Sequence, residues 1–534
     1  MIEKLVLMNF RRFEQATIEF DQGLNILVGD NEAGKSTVLE AINLGLTKRW
    51  NGKFFEQELS HHFITGAVSD AYVQDVRAGN NPQPPELLVE VYLADDSALA
   101  RLKGENNSLR EDVPGYRLRA ALDPDFEAEY KSFLSEPDKV TSVPTEYYRV
   151  DWTDFSGQPV NVRALRVRAS LIDASRIRLH TGADYHLQKI IGETLDTKDR
   201  AQLARSFRLH QESFGANEAI AAINDSLAEG SEGITDKNFT LEIDTSGASG
   251  WESALSPHLD RLPFHFSGSG EQNKLKILTA LARKAQESHV ILIEEPENHL
   301  SFSNLNILVE RIDTQSGDSQ VIIATHSSFV VNKLGLAQLK LLGANGTNKL
   351  TGLSPATQEY FRKIAGYDTL RLVLARKVVL VEGPSDELIF QRAYWDKLKR
   401  RPIEDGIDVI SVRGLSAKRF LDLAIPLERE VVVLADNDGD YAKKVDDRFA
   451  DYAVHDFVTI SRSDNNARPT LEPQMVDANG LDGTNLILGR SFDSEEALIA
   501  YMQDNKTDCA LRFHDTDEPV TWPRYIEDAI DALA

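Results

Sequence analysis

Four apolar runs of strand length set the frame of this chain. Leu24–Val28 stops at a glycine, 289–293 at paired glutamates, Lys377–Val381 at a glutamate and a glycine, and 431–435 at an aspartate. A continuous apolar run of this length, ended by turn or charged residues, is the pattern of a strand buried on both faces. Near the N-terminus the pattern alternates instead. Residues 2–8 and 16–20 read as two short strands around 9–13. The stretch 82–85 marks a proline-rich loop, and 86–93 reads as the strand that follows it. From about Ala164 to Gly230 the chain is rich in Ala, Leu, Arg and Gln and has no proline, which predicts helix. Residues 286–330 return to strand–helix–strand. A Gly/Asn-rich turn at 343–348 leads toward a second region, from about 370, where strands and helices alternate and a mainly parallel sheet is expected. The expected division is α/β at 1–163, a helical insertion at 164–230, α/β again at 231–355, and a C-terminal α/β domain at 370–534.

The strand Leu24–Val28 runs into Gly29-Asp30-Asn31-Glu32-Ala33-Gly34-Lys35-Ser36-Thr37, a complete G-x-x-x-x-G-K-S phosphate loop. Gly29 and Gly34 allow the backbone to wrap close to phosphate oxygens. Lys35 can reach the β- and γ-phosphates and the Ser36 hydroxyl can hold Mg²⁺, with Asn31 and Thr37 completing the binding loop. The helix that follows turns its positive N-terminal end toward the same anion. The bland reading, a glycine turn with a chance Lys-Ser, does not account for the flanking strand and helix.

Composition narrows the class. The chain has 534 residues, 42% apolar and 27% charged, enough for two or three domains with their own cores. No apolar run approaches the ~18 residues of a membrane span. One cysteine excludes a disulfide framework and a cysteine-rich zinc site. A cytoplasmic protein without a membrane segment is expected. The formal net charge of −25 gives no support to a generally sticky nucleic-acid binder. Any DNA contact needs a local basic surface. The run 397–401 (Lys-Leu-Lys-Arg-Arg) is one candidate, although such runs more often form solvated faces.

Further segments fit the phosphate loop. Glu294 and Glu295 end a buried strand, the first placed to support Mg²⁺ and the second to accept a proton from attacking water. His326 ends the next strand, where a γ-phosphate sensor would be useful. Ser269, Gly270 and Gln272 open a helix whose small residues can offer free N–H groups to a phosphate. Asn298-His299-Leu300-Ser301 follows the carboxylates. In this order the set resembles the ABC-type ATPase heads of chromosome-maintenance and DNA-repair machines. That resemblance implies ATP held between two heads, the signature of one completing the site of the other, and hence a homodimer or higher homo-oligomer. The chain departs from those machines in lacking a long coiled coil and in having Glu294 where aspartate is usual.

A second acidic set lies at 377–440. Glu382 ends one buried strand and is followed by Gly383-Pro384-Ser385-Asp386. Asp436-Asn437-Asp438 ends another. Extended geometry would put Asp436 and Asp438 on one face. If the two strands adjoin in a parallel sheet, Glu382 lies at the same carboxyl edge, where sites form in open α/β sheets. Unpaired carboxylates there repel, and a hard cation, Mg²⁺ or Mn²⁺, relieves them. The pattern resembles the Toprim domain. An ABC-type head followed by a Toprim domain is the arrangement of the OLD (overcoming lysogenization defect) family. The resemblance implies that Asp386 and Glu472 join Glu382, Asp436 and Asp438 as metal ligands. It also implies that Lys506 steadies charge on the scissile phosphate. A metal-dependent DNA endonuclease acting in antiphage defence follows from it, with room for a partner defence protein or RNA. The alternative from another class is a non-nucleolytic ATPase switch that senses nucleotide or DNA and regulates a partner.

Lys35→Ala is expected to weaken ATP binding by roughly tenfold or more, about 1.4 kcal/mol per factor of ten. Glu295→Gln is expected to bind ATP normally and hydrolyse it on the order of 10²-fold more slowly, because the base is lost while its shape remains. Nucleotide titration and phosphate release measure the two effects. Wild-type hydrolysis by Glu295→Gln would reject Glu295 as the base.

Overall fold

In a computed structural model, the structure describes residues 1–161, 165–173, 195–231, 240–244, 251, 258–281, 289–315, 319–414 and 416–533. The chain divides into two compact units. The first comprises Met1–Asn25, Gly34–Thr325 and Ala344–Gly346, and the second Ile26–Ala33, His326–Gly343 and Thr347–Ala534.

In the first unit the alternating N-terminal pattern forms a hairpin. Ile2–Phe10 and Phe13–Glu19 pair antiparallel, and Leu87–Leu93, Val113–Leu122 and Tyr148–Asp154 extend the sheet. A second, parallel layer is formed by Arg168–Asp173, His289–Glu294 and Gln320–Ala324. Helix Lys35–Thr47 packs against strands of both layers. Trp152 Nε1 donates to the Gly45 carbonyl of this helix at 2.9 Å. A Cβ at Gly45 would lie 2.7 Å from Val91 Cγ2, so only glycine allows the helix so close to the antiparallel sheet. The fully buried Gln320 side chain accepts from the Ile2 N–H at 2.7 Å and donates to the Ile2 and Asp21 carbonyls at 2.7 and 2.8 Å. It thereby satisfies buried backbone groups where the two sheets meet.

One sequence expectation needs correction. Residues 168–173, inside the predicted helical insertion, form a strand that pairs in register from Arg168↔His289 to Asp173↔Glu294. Six residues are too few for periodicity to separate strand from helix. Burial of Ala169, Ser170 and Ile172 against the neighbouring strand decides it. The helical part is Thr197–Gly215 and Glu218–Ser231. Residues 174–194 of the expected insertion lie outside the described residues.

In the second unit Ile26–Val28 pairs in parallel with Leu339–Leu342, which pairs antiparallel with Thr347–Lys349. The C-terminal region forms a parallel four-stranded sheet in the order Ile407–Ser411, Lys377–Val381, Glu430–Leu434, Val458–Ser461. Both faces are covered, which explains the unbroken apolar runs. Val379, Val381, Val432 and Leu434 pack on Phe390, Met475, Phe513 and Ile526 from the helices on one side. Helix Ala417–Ala424 packs against Glu430–Leu434, with Phe420 edge-on to Phe361. The chain leaves Lys377–Val381 for one neighbour and returns to the other. The carboxyl ends of Lys377–Val381 and Glu430–Leu434 therefore adjoin at the point where the strand order reverses. No helix among the described residues is long and apolar enough to cross a membrane.

Gly34 has φ 95°, and a Cβ there would lie 2.6 Å from Arg12 Cδ and 2.7 Å from the Phe13 ring. Gly34→Ala combines strained backbone with overlap and should cost about 1–3 kcal/mol. The expected outcome, read by thermal unfolding and ATP titration, is a lower unfolding temperature together with weakened ATP binding. An unchanged unfolding temperature would contradict this account of the loop.

Candidate nucleotide and metal sites

Helix Lys35–Thr47 starts directly after Gly34 and has no side-chain cap, so its first N–H groups remain directed at the loop. Lys35 and Thr37 are buried and Ser36 is half-buried. Arg11 forms an ion pair with the buried Glu40 of the same helix. Glu294 is buried at the end of its strand. The chain turns at once: Glu295 adopts φ 45° and its N–H donates to the Ala324 carbonyl at 2.8 Å. The Glu295 carboxylate accepts from Asn298. Glu297 accepts from the buried Thr325 hydroxyl at 2.7 Å. Asn298 was quoted from the sequence only as part of a following segment. In the structure it is a direct partner of the candidate base.

The serine-glycine segment meets the same turn. Ser269 and Gly270 open helix Ser269–Leu281, and a Cβ on Gly270 would lie 2.2 Å from the His299 carbonyl oxygen. Glycine is needed there for close packing within the unit. Gln272 is buried and donates to the Ser267 carbonyl at 2.8 Å, so it shapes its own loop. His326 is exposed after its strand and stands next to Ser327, which caps helix Ser328–Leu334. Gly29 lies where a Cβ would be 2.8 Å from Ala33 Cβ and 3.2 Å from the Leu342 carbonyl oxygen. Asn31 is exposed on the loop.

The second set assembles at the reversal point of the parallel sheet. Glu382 follows Lys377–Val381, and Asp436 follows Glu430–Leu434. Asp386 lies in the first turn of helix Pro384–Leu398, where its carboxylate accepts from the Gly383 N–H at 2.9 Å. Glu472 is buried in the first turn of helix Leu471–Leu488 and accepts from the Thr470 hydroxyl at 2.8 Å. Lys506, at the start of helix Lys506–Asp515, lies 3.2 Å from Glu472.

Electrostatics shows how crowded this edge is. Burial, then repulsion from Asp386, Glu382 and Glu472, pushes Asp436 up to about 9. Burial, opposed by the Gly383 hydrogen bond and reinforced by Glu382 and Glu472, pushes Asp386 up to about 6. Glu382 is raised by burial and by Asp438, against an N–H from Asp436 and the charges of Arg448 and Lys506. Burial works against the Lys506 ammonium, but Glu472, Asp436 and Asp386 outweigh it and hold its value up.

The shared-face argument for Asp436 and Asp438 does not hold. The strand ends at Leu434, and Asp438 has φ 47°, a left-handed turn position. The two carboxylates face different surroundings: Asp436 shares a cleft with Asp386, Leu471 and Tyr525, and Asp438 shares a cavity with Glu382 and Arg448. The intervening Asn437, fully buried, holds this turn. Its amide donates to the Ser463 and Asn465 carbonyls at 3.1 and 2.9 Å and its oxygen accepts from the Gly439 N–H at 2.9 Å. Sequence reasoning passed over Asn437 and Arg448. An asparagine followed by Asp-Gly is the sequence signal of such a braced turn.

Among the described residues, no three or more His, Cys, Asp or Glu side chains are already drawn into a metal cage. The donor set nevertheless fits a hard divalent cation. It is all carboxylate, it is largely desolvated, and Asp436 is held so high that only a proton or a cation satisfies it near neutral pH. Glu382, Asp386, Asp436 and Glu472 would hold such an ion. The basic run at 397–401 has a different use: Lys397 pairs with Asp531 at 2.6 Å, Arg400 pairs with Asp405 at 2.7 Å, and Lys399 closes a helix.

The fold and the two sites define a phosphate-loop ATPase joined to a Toprim domain. Residues 24–332, more than half of the chain, match the family model described as "AAA domain, putative AbiEii toxin, Type IV TA system". Residues 373–438 match "Overcoming lysogenization defect protein-like, TOPRIM domain". The chain belongs to this AAA-domain family, and its residues 373–438 carry an OLD-like Toprim domain. It is similar to Endonuclease GajA of Bacillus cereus (strain VD045), 21% identical over 456 residues, covering 81% of this chain and 74% of that protein. A shorter likeness, 53% over 49 residues, is to the DNA double-strand break repair Rad50 ATPase of Methanopyrus kandleri, covering 9% of this chain and 6% of that one. Among solved structures, the C-terminal region of the Xanthomonas campestris pv. campestris OLD protein is 20% identical with a TM-score of 0.24, covering 30% of this chain and 94% of that one. The SMC head domain from Thermotoga maritima is 13% identical with a TM-score of 0.29, covering 66% and 99%.

The raised carboxylates generate a pH test. Unfolded, Asp436 titrates near 3.8; folded, near 9. Between these values the folded chain binds the extra proton, so metal-free stability falls as pH rises. In EDTA, the unfolding temperature should drop more steeply from pH 6 to 9 for wild type than for Asp436→Asn, and millimolar Mg²⁺ should remove the difference. Equal slopes in EDTA would refute the assignment of a buried, proton-holding cluster.

Proposed function

We propose that the chain is an ATP-binding and hydrolysing, divalent-metal-dependent DNA endonuclease that works in cytoplasmic antiphage defence. The observation that carries this reading is the convergence of Glu382, Asp386, Asp436 and Glu472, with Lys506 beside them, at the carboxyl edge of the Toprim sheet. The likeness to an endonuclease over 81% of this chain supports it.

The chemistry is hydrolysis of a phosphodiester. Mg²⁺ or Mn²⁺ held by Glu382 and Asp436 would supply an activated water and stabilise the leaving oxygen. The protein's own groups do the rest. Asp386 orders the Gly383 turn and shares the ion's charge. Glu472 anchors Lys506, whose half-exposed ammonium faces the charge that builds on the phosphate. Asn437 holds Asp436 and Asp438 on their separate sides of the turn. At the nucleotide site, Lys35 and Ser36 would hold the phosphates and Mg²⁺, Glu294 would support the ion, and Glu295, which accepts from Asn298, would take the proton from water.

A homodimer through the ATPase heads fits Ser269 and Gly270 at the start of their helix. Helices Thr197–Gly215 and Glu218–Ser231 expose Leu203, Leu209, Phe214 and Ile223, apolar surface of the kind a permanent dimer contact covers.

Glu382→Gln and Asp436→Asn should lower nicking of supercoiled plasmid in Mg²⁺ or Mn²⁺ by more than the ~10–100-fold that losing an outer-sphere partner of a metal costs. ATP hydrolysis by the same preparations should stay near wild type, because these carboxylates lie on a different sheet from Glu294. Unchanged nicking in both variants would sink the nuclease reading.

A further inference from the structure

The cavity beside Glu382 and Asp438 has a cationic wall that no metal or water chemistry uses. It holds about 170 Å³ and is bounded by Glu382, Asp438, Gly414, Phe449 and Arg448, with apolar strand ends as its floor. Arg448 stands on the helical segment that follows the D-x-D turn, a π-helical stretch Ala442–Asp446 running into Asp447–Phe449. Helical segments of this wide form recur at functional sites. Phe449, 2% exposed, anchors the segment beneath, and the Arg448 guanidinium lies over its ring at 5.2 Å.

Several other arginines of this unit are committed to carboxylates, while Arg429 and Arg490 bond a carbonyl and a tyrosine hydroxyl. Arg462 pairs with Asp446 at 2.8 Å, Arg371 with Asp408, Arg392 with Asp396 at 3.0 Å, and Arg468 with Asp477 and Glu495 at 3.1 and 2.7 Å. Arg448 is exposed, and among the described residues no carboxylate lies within ion-pair distance of it. Its charge is nonetheless felt at Glu382. An arginine without an ion-pair partner, on the rim of a cavity walled by carboxylates, is suited to a ligand that is itself anionic. A phosphodiester entering this edge is such a ligand. It must approach a strongly acidic surface, and a planar guanidinium can donate to two of its oxygens at once. Lys506 cannot fill that role alone, since Glu472 already holds it.

We propose that Arg448 binds a non-bridging oxygen pair of the DNA phosphodiester at this cavity and so sets how the strand enters the carboxylate edge. This rests on the nuclease reading above.

The test measures binding of a fluorescent duplex to the full chain by anisotropy, with Ca²⁺ in place of Mg²⁺, across a KCl series. Plasmid nicking in Mg²⁺ is measured in parallel. Each phosphate contact contributes close to one to the slope of log affinity against log salt. Arg448→Ala should reduce that slope by about one and raise KM for DNA roughly tenfold or more, with a smaller change in kcat. Arg448→Lys keeps a point charge without the fork. It should keep the slope and recover only part of the affinity. Lys363→Ala removes an exposed cation from helix Pro355–Lys363 and should change neither. ATP hydrolysis on the same preparations reports folding. If wild type binds and nicks DNA while Arg448→Ala keeps the wild-type slope and KM, the Arg448 proposal is wrong and the nuclease reading stands. If wild type neither binds nor nicks DNA, the nuclease reading fails and the proposal with it.

Discussion

Four carboxylates crowd the carboxyl edge of one small parallel sheet, and the charges of the others oppose ionisation of Asp436 and Asp386. Two like charges 4 Å apart cost about 4 kcal/mol at an effective dielectric near 20. Burial adds to this at Asp436 and Asp386. Such a cluster is stable in a few ways only: it keeps protons, it draws in a lysine, or it takes a divalent ion. The first two are visible, in the raised Asp436 and in the Lys506–Glu472 pair. The sheet's covered faces make the crowding unavoidable. They leave the strand ends as the place where polar groups reach solvent, and the reversal of strand order brings two of those ends together.

The nucleotide site follows another rule. There the backbone does most of the positioning. Gly34 turns the chain where a side chain would strike Arg12 and Phe13, and Gly270 lets the signature helix touch the His299 carbonyl. Helix Lys35–Thr47 packs against strands of two sheets. Two kinds of phosphate chemistry thus share one chain with little in common. One uses N–H groups and a lysine at a helix start, and the other uses metal-binding carboxylates at strand ends.

Much of this was legible in the sequence because strand, loop and helix follow without gaps at both sites. The phosphate loop is bounded by an apolar run and a helix, and Glu382 and Asp436 each end an apolar run. The reasoning failed where local pattern carries no tertiary information. Arg168–Asp173 is too short to show a period, and only pairing with His289–Glu294 makes it a strand. Asp436 and Asp438 were put on one face by extended geometry, yet the strand stops at Leu434 and Asn437 turns the chain. The basic run at 397–401, one candidate for a DNA surface and more often a solvated face, has Lys397 and Arg400 paired with Asp531 and Asp405. Arg448 carried no motif, and its place on the cavity rim comes only from the folded turn.

The central claim is that the Toprim edge takes a divalent ion by exchanging protons for it. Calorimetric titration of Mn²⁺ into the full chain at pH 7, in two buffers of different ionisation enthalpy, measures this directly. Binding should release protons in the wild type, since Asp436 enters the titration protonated. Asp436→Asn should bind more weakly and release fewer. Mn²⁺ binding without proton release, equal in wild type and Asp436→Asn, would contradict the account.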